Sequence, residues 1–246
     1  MTIKILYINP VGTNAFDEPM RNFLNQYKSQ DTEVTVISLP RGPWHLEYYS
    51  YDALVIPDVL KVIREYEGKG YDAAIIGCFY DPGLYETREI SDMVITAPAE
   101  ASMHIASTLG DRFSIIVGRR KWIPLMMENV VKYGFRDKLV SFESVELGVW
   151  DFHKDIEETK KRIIRAAKSA VEKGTEVIIL GCTVLFGFFK DVEKEVGVPV
   201  VDPIIASLKW AEFLVELKRR IGWQYSRIGL YEKPPSEEIV KWKLFE

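Results

Sequence analysis

Lys69-Gly70-Tyr71-Asp72-Ala73-Ala74-Ile75-Ile76-Gly77-Cys78 returns as Lys173-Gly174-Thr175-Glu176-Val177-Ile178-Ile179-Leu180-Gly181-Cys182, and these are the only two cysteines of the 246-residue chain. Each cysteine follows a short apolar run, the point at which an open parallel sheet presents residues to a ligand beyond the carboxyl ends of its strands. Downstream, Pro98-Ala99-Glu100-Ala101-Ser102 is echoed by Pro203-Ile204-Ile205-Ala206-Ser207 at almost the same offset. A period of about a hundred residues is far too long for a solenoid or propeller, so the chain reads as a pseudo-twofold pair of half-domains. Two thiols related in this way are expected to face one another across a cleft, where a proton can leave one face of a carbon and return to the other.

Strand-like runs rich in β-branched residues recur at 3–9, 33–39, 73–77, 93–96, 113–118, 140–147, 177–181 and 198–201. Helical periodicity fills most gaps, clearest at 155–173 and at 203–221, where Asp202 reads as a cap and Pro203 as the first turn. This alternation predicts an α/β fold of two lobes, each a mainly parallel sheet flanked by helices, with the site in the cleft between them. The lobes are drawn at 1–108 and 109–220, leaving an aromatic arm at 221–246 with Trp223, Tyr225, Tyr231, Trp242 and Phe245. An arm of that composition is expected to wrap a neighbouring subunit or cover the cleft.

With 32 basic and 36 acidic residues interspersed, the net charge is −4, and nothing in the pattern suggests a nucleic-acid partner. No apolar stretch approaches the roughly 18 residues that span a bilayer, and no leader-like segment opens the chain. The expectation is a cytoplasmic protein with reduced thiols and a small-molecule substrate.

After Cys78 comes Phe79-Tyr80-Asp81-Pro82-Gly83-Leu84, where Asp81 reads as a helix cap and Pro82 as a first helical residue. A helix starting there aims its positive end at the cleft, which favours thiolate or a substrate oxyanion. Cys182 is followed by Thr183-Val184-Leu185-Phe186-Gly187, the same strand-to-loop position. Free cysteines in cytosolic chains are often small buried hydrophobes, but packing alone gives no reason for the only two to occupy equivalent points of a repeat. Neither has a Cys or His at metal-ligand spacing, and His45, His104 and His153 are scattered, so no metal is expected.

The loop Asn9-Pro10-Val11-Gly12-Thr13-Asn14 offers an amide, a hydroxyl and backbone donors to an anionic ligand, or serves as a plain turn. Its counterpart, Gly118-Arg119-Arg120-Lys121, is either a solvated helix start or an anion clamp, with Arg119 the candidate. Glu100 sits near an apolar helix start, where a carboxylate gains from the dipole, so a structural role competes with a catalytic one and it is not counted among the site residues. Walker, dinucleotide and nucleophile-elbow motifs are absent from the sequence, so no cofactor is expected.

With Asn9-Pro10 after the first strand, Gly77-Cys78-Phe79 leading into Asp81-Pro82-Gly83-Leu84, Glu100-Ala101, and Gly181-Cys182 before Val198-Pro199-Val200-Val201-Asp202, the chain resembles the hydantoin racemases of the aspartate/glutamate racemase superfamily. The resemblance runs over about residues 3–231. It implies a cofactor-independent racemase in which Cys78 and Cys182 act as base and acid on opposite faces of a stereocentre. The ring is then a 5-substituted hydantoin or a relative such as allantoin, held by Asn9, Thr13, Phe79, Tyr80, Gly118, Arg119, Thr183 and Val184, in a homo-oligomer. The chain departs from the family's usual residues at Val11-Gly12-Thr13, Gly118-Arg119 and Thr183-Val184, where substrate is held. Two further readings stand beside this one: racemisation or one-cysteine decarboxylation or isomerisation of an acidic substrate, with Arg119 on its carboxylate, and a two-lobed binding protein without turnover.

Overall fold

The computed structural model describes residues 2–245, and its order of elements repeats once. In the first half β1 (Ile3–Asn9), β2 (Thr32–Ser38), β3 (Ala73–Ile76) and β4 (Val94–Thr96) form a parallel sheet in the order β2-β1-β3-β4. In the second, β5 (Phe113–Val117), β6 (Leu139–Ser144), β7 (Val177–Leu180) and β8 (Val200–Val201) form a parallel sheet in the matching order β6-β5-β7-β8. All eight strands therefore lie where the β-branched runs predicted them, within two residues at most ends. The exception is the end of β6, at Ser144 where the run continued to 147. The inner strands β3, β5 and β7 are buried along their whole length, as helices on both faces of a parallel sheet require.

The helices are α1 (Asp17–Tyr27), α2 (Tyr49–Tyr66), α3 (Leu84–Ile90) and α4 (Pro98–Leu109), then α5 (Ile123–Lys132), α6 (Ile156–Glu172), α7 (Phe189–Val196), α8 (Pro203–Ile221) and a short α9 (Ser236–Lys241). Asp155 caps α6 by accepting from the Glu158 amide, and Asp202 caps α8 by accepting from those of Ile204 and Ile205. The closing helices are exchanged: α8, from the second half, packs on β1, β3 and β4, while α4, from the first, packs on β7 and β8, and the two helices pack on each other. Thr96 of β4 donates its hydroxyl to the Ser207 carbonyl of α8 across this junction.

The arm expected over the cleft or a neighbour docks on its own chain. Arg88 of α3 is buried against Glu100 of α4 and lies over the rings of Tyr225 and Tyr231. The Tyr225 hydroxyl both accepts from the Ile95 amide and donates to its carbonyl, so the arm covers the outer edge of β4. A buried guanidinium needs partners on every side, and the two tyrosines complete its set.

Candidate active site

Because the sheets share one order and one sense, the same corner of each, just past β3 and just past β7, delivers a cysteine to a common space. Cys78 and Cys182 are both free thiols, partly buried, and both line a cavity of about 40 Å³ together with Leu46, Glu47, Phe79, Tyr80, Trp122, Met126, Val149 and Thr183. A second chamber of about 60 Å³ shares both cysteines, Leu46, Val149 and Thr183 and extends toward Asn9, Val11, Trp44, His45 and Val184. The sulfur pair thus stands at the junction of the two chambers. Thr183 ties the halves together there by donating its hydroxyl to the Gly77 carbonyl at 3.1 Å.

Each sulfur receives a backbone N–H from two residues further on, Tyr80 for Cys78 and Val184 for Cys182, with Leu185 adding a second donor to Cys182. These donors favour thiolate, but burial outweighs them. Cys78 is raised well above the ordinary thiol range, chiefly by burial, with Asp52, Cys182 and Asp81 adding to the rise. Burial also pushes Cys182 up to about 12, with Glu47 adding to it. The thiolate-favouring helix start is not there. Helix α3 has seven residues and begins at Leu84 behind a left-handed Gly83. Asp81 instead caps α4 from outside, accepting from the Ala99 and Glu100 amides at 2.9 Å each and from the Tyr133 hydroxyl. Ala97 stands at the cap position of α4, where the equivalent residue of α8 is Asp202, so the first half brings its capping carboxylate from the cysteine loop.

Of the residues expected to hold substrate, Phe79, Tyr80 and Thr183 line the first chamber, and Asn9, Thr183 and Val184 the second. The Asn9 amide group donates to Asp17. Thr13 accepts from the Ala15 amide in its own turn and is not among the cavity walls. Gly118 does not line the space but makes room for a residue that does: a Cβ there would stand 2.3 Å from the Trp122 ring. Arg119 donates to Glu47 at 2.8 Å, and that carboxylate also accepts from the Val149 amide. The cation expected to clamp a substrate anion is therefore paired with an anion that itself faces the cavity.

Residues 5–211 match the Asp/Glu/Hydantoin racemase family. The chain belongs to that family. Hydantoin racemases of a Pseudomonas species and of Paenarthrobacter aurescens are 35% and 34% identical to it, over 97% of this chain in both cases and over 94% and 100% of theirs. The solved allantoin racemase of Klebsiella pneumoniae superposes with a TM-score of 0.87 at 28% identity, covering 96% of this chain and 95% of its own.

Sequence reasoning missed several walls of this racemase-family cleft. Leu46 and Glu47 come from the loop after β2, and Val149 from the corresponding loop after β6, but the two loops share no wording in the sequence. Trp122 and Met126 sit at the entry to α5 and within it. The run of aromatics around Trp44-His45-Leu46-Glu47-Tyr48-Tyr49 was the available signal, since a loop of that composition needs a surface to cover. Among the described residues no three His, Cys, Asp or Glu side chains assemble as a metal-binding group, and no helix is long and apolar enough to cross a membrane.

Proposed function

We propose that this protein racemises 5-substituted hydantoins, or a related ring such as allantoin, by proton transfer between Cys78 and Cys182. One sulfur, as thiolate, takes the proton from the ring carbon between carbonyl and nitrogen, and the other, as thiol, returns a proton to the opposite face. The observation that carries this reading is that the chain's only two cysteines, at equivalent strand ends of the two sheets, line the same cavity. Its relatives, hydantoin and allantoin racemases, support the ring class.

Positioned acid and base groups are worth roughly a hundred- to ten-thousand-fold each. Burial keeps both thiols neutral in the empty protein. The backbone donors at Tyr80, Val184 and Leu185, already aimed at the sulfurs, stabilise whichever of the two ionises. Glu47, already held by Arg119 and Val149, accepts a ring N–H in this scheme and disfavours a substrate carboxylate at the same wall. The division at 1–108, 109–220 and 221–246, a cytoplasmic location and a homo-oligomer belong to the same proposal. Exposed Ile228, Leu230, Val240 and Trp242 on the arm support self-association.

Cys78→Ala and Cys182→Ala, assayed by polarimetry on a hydantoin panel with aspartate, glutamate and maleate as controls, are each expected to lose racemisation by at least roughly a hundred-fold. Each retains hydrogen exchange of one enantiomer in deuterated solvent. Parental racemisation by either variant overturns the two-base scheme, and turnover of the acidic controls alone overturns the ring assignment.

A further inference from the structure

Thr183 is buried, follows Cys182 directly, and donates its hydroxyl to the carbonyl of Gly77, the residue before Cys78, at 3.1 Å. One hydrogen bond therefore joins the two cysteine loops across the cleft, a single residue away from each sulfur-bearing position, where consecutive Cα atoms are about 3.8 Å apart. The Cys78 loop is held to the second half further along as well. Asn129 of α5, also buried, donates its amide to the Tyr80 carbonyl at 2.7 Å, and one helical turn later Tyr133 donates its hydroxyl to Asp81 at 2.9 Å. Cys78 thus stands between two carbonyls, those of Gly77 and Tyr80, that are both fixed by donors from the opposite half.

The repeat shows that the Thr183 bond is not a requirement of the fold. Gly77-Cys78-Phe79 and Gly181-Cys182-Thr183 occupy equivalent positions past the ends of β3 and β7. Phe79, the counterpart of Thr183, has no hydroxyl, so the bond runs in one direction only. The halves are already joined by the packing of α4 on α8. What the threonine adds is local, a fixed separation between the two loops that carry the sulfurs. A hydroxyl has one proton, and with that proton on Gly77 the side chain has none to give to a ring carbonyl.

We propose that Thr183, with Asn129 as second anchor, is a positioning residue that sets the gap between Cys78 and Cys182. The inference rests on the two-cysteine reading above. In a turnover the thiolate takes the ring proton as the C–H bond breaks, and the electron pair of that bond passes to the ring carbonyl. The opposite thiol then gives its proton to the carbon as the pair returns, and is left as the thiolate. Both sulfurs have to reach one carbon from opposite sides, each at about 3–3.5 Å, which calls for a gap of about 6–7 Å. Displacing a reacting group by about 1 Å can cost roughly a hundred-fold in rate. A gap of that width also keeps the sulfurs from bonding to each other, since a disulfide needs them about 2 Å apart. A buried hydrogen bond beside both cysteines is the shortest structural route to such a constraint.

The test is Thr183→Val, which keeps the branched shape and removes the donor, beside Thr183→Ser, which restores the donor. With a hydantoin substrate in deuterated water, kcat of the valine variant should fall by about ten- to a hundred-fold with KM little changed. Deuterium should enter the unreacted enantiomer several-fold faster relative to inversion than in the parent, because one sulfur still removes the proton while the other no longer meets the far face. The serine variant should recover both values. A raised KM with parental kcat assigns the hydroxyl to substrate contact and overturns the proposal. So does a lowered melting temperature or a lowered kcat with a parental ratio of labelling to inversion, and so does a serine variant as impaired as the valine one. A second readout needs no substrate. Diamide, which is reduced to its hydrazine by taking two electrons and two protons from a thiol pair, should close a Cys78–Cys182 disulfide several-fold faster in Thr183→Val than in the parent, read by mass spectrometry as the loss of both alkylatable thiols. Equal rates overturn the proposal, and this holds even where the parent turns over no hydantoin and the ring assignment fails. Asn129→Ala releases the Tyr80 carbonyl instead and keeps the test open should the valine variant not fold: the same changes in labelling and in oxidation are expected, and parental values in both overturn the proposal.

Discussion

Cys78 and Cys182 share a sequence context but not an electrostatic one. Cys78 has two carboxyl groups nearby, Asp52 and Asp81, which burial pushes up to about 6 and about 7, so both are ionised in mildly alkaline solution. Cys182 has Glu47 alone and one more backbone donor. Cys182 is therefore the first to ionise in the ligand-free protein. With rising pH, mass spectrometry of briefly alkylated native protein should show label on Cys182 before Cys78, and the reverse order contradicts this account of their surroundings. The same shifts fix a stability trend. Unfolded thiols ionise near 9.0, whereas the folded ones hold their protons beyond it, so the unfolded state binds fewer protons and stability falls as pH rises above 9. Each thiol contributes up to about 1.4 kcal/mol per pH unit in that window. Urea midpoints of the parent should thus decline more steeply between pH 9 and pH 10.5 than those of the Cys78→Ser/Cys182→Ser variant.

At the scale of elements, the cysteine loop and the closing helix of the first half are one unit. Asp81 adopts φ +53°, a left-handed conformation tolerable for aspartate, and its carboxylate satisfies two of the orphan amides at the start of α4. Asp81→Ala is expected to cost about 2 kcal/mol, at the upper end for a lost cap because the site is buried, and to lower activity by loosening Phe79 and Tyr80. Asp202→Ala should cost a similar amount while leaving Phe79 and Tyr80 in place. Urea denaturation beside steady-state kinetics separates the two, and equal effects on kcat from both variants argue against the loop linkage. This cap also marks a limit of sequence reading. Asp81-Pro82-Gly83 carries the residues of a helix start and does provide a cap, but for a helix that begins at Pro98 rather than at the adjoining residues. Local wording names the capping residue; which amides it meets is set by the tertiary path. The cysteines were legible for the opposite reason: a duplicated strand end puts both at the same address in each half, so their convergence follows from pairing alone. Trp122 has no echo in the other half, and nothing along the chain announced that it would join the same site.

The whole molecule is bound by the exchange of α4 and α8. Each sheet completes one face with a helix from the other half, so the core of neither half is closed without the other. The apolar side of α8, with Ala206, Leu208, Ala211 and Val215 buried, covers β1, β3 and β4. Polar links fasten the same helix to the first half: Glu212 accepts from the Ser29 amide and hydroxyl, and Arg219 pairs with Asp72. At the opposite side of the cleft the Glu47–Arg119 pair joins the loop after β2 to the loop after β5. A fragment of residues 1–112 would leave the fully buried Ala74, Ile75 and Ile76 of β3 without part of their cover, and removal of α8 from the intact chain would expose the same face. Unfolding of the full chain in urea is accordingly expected to be one cooperative transition, with tryptophan fluorescence and far-ultraviolet circular dichroism coinciding. The 1–112 fragment should show neither native-like dichroism nor a cooperative melt. Two resolved transitions, or a fragment that melts sharply on its own, would mean that each half carries a complete core and that the helix exchange is dispensable to holding the cysteine pair together.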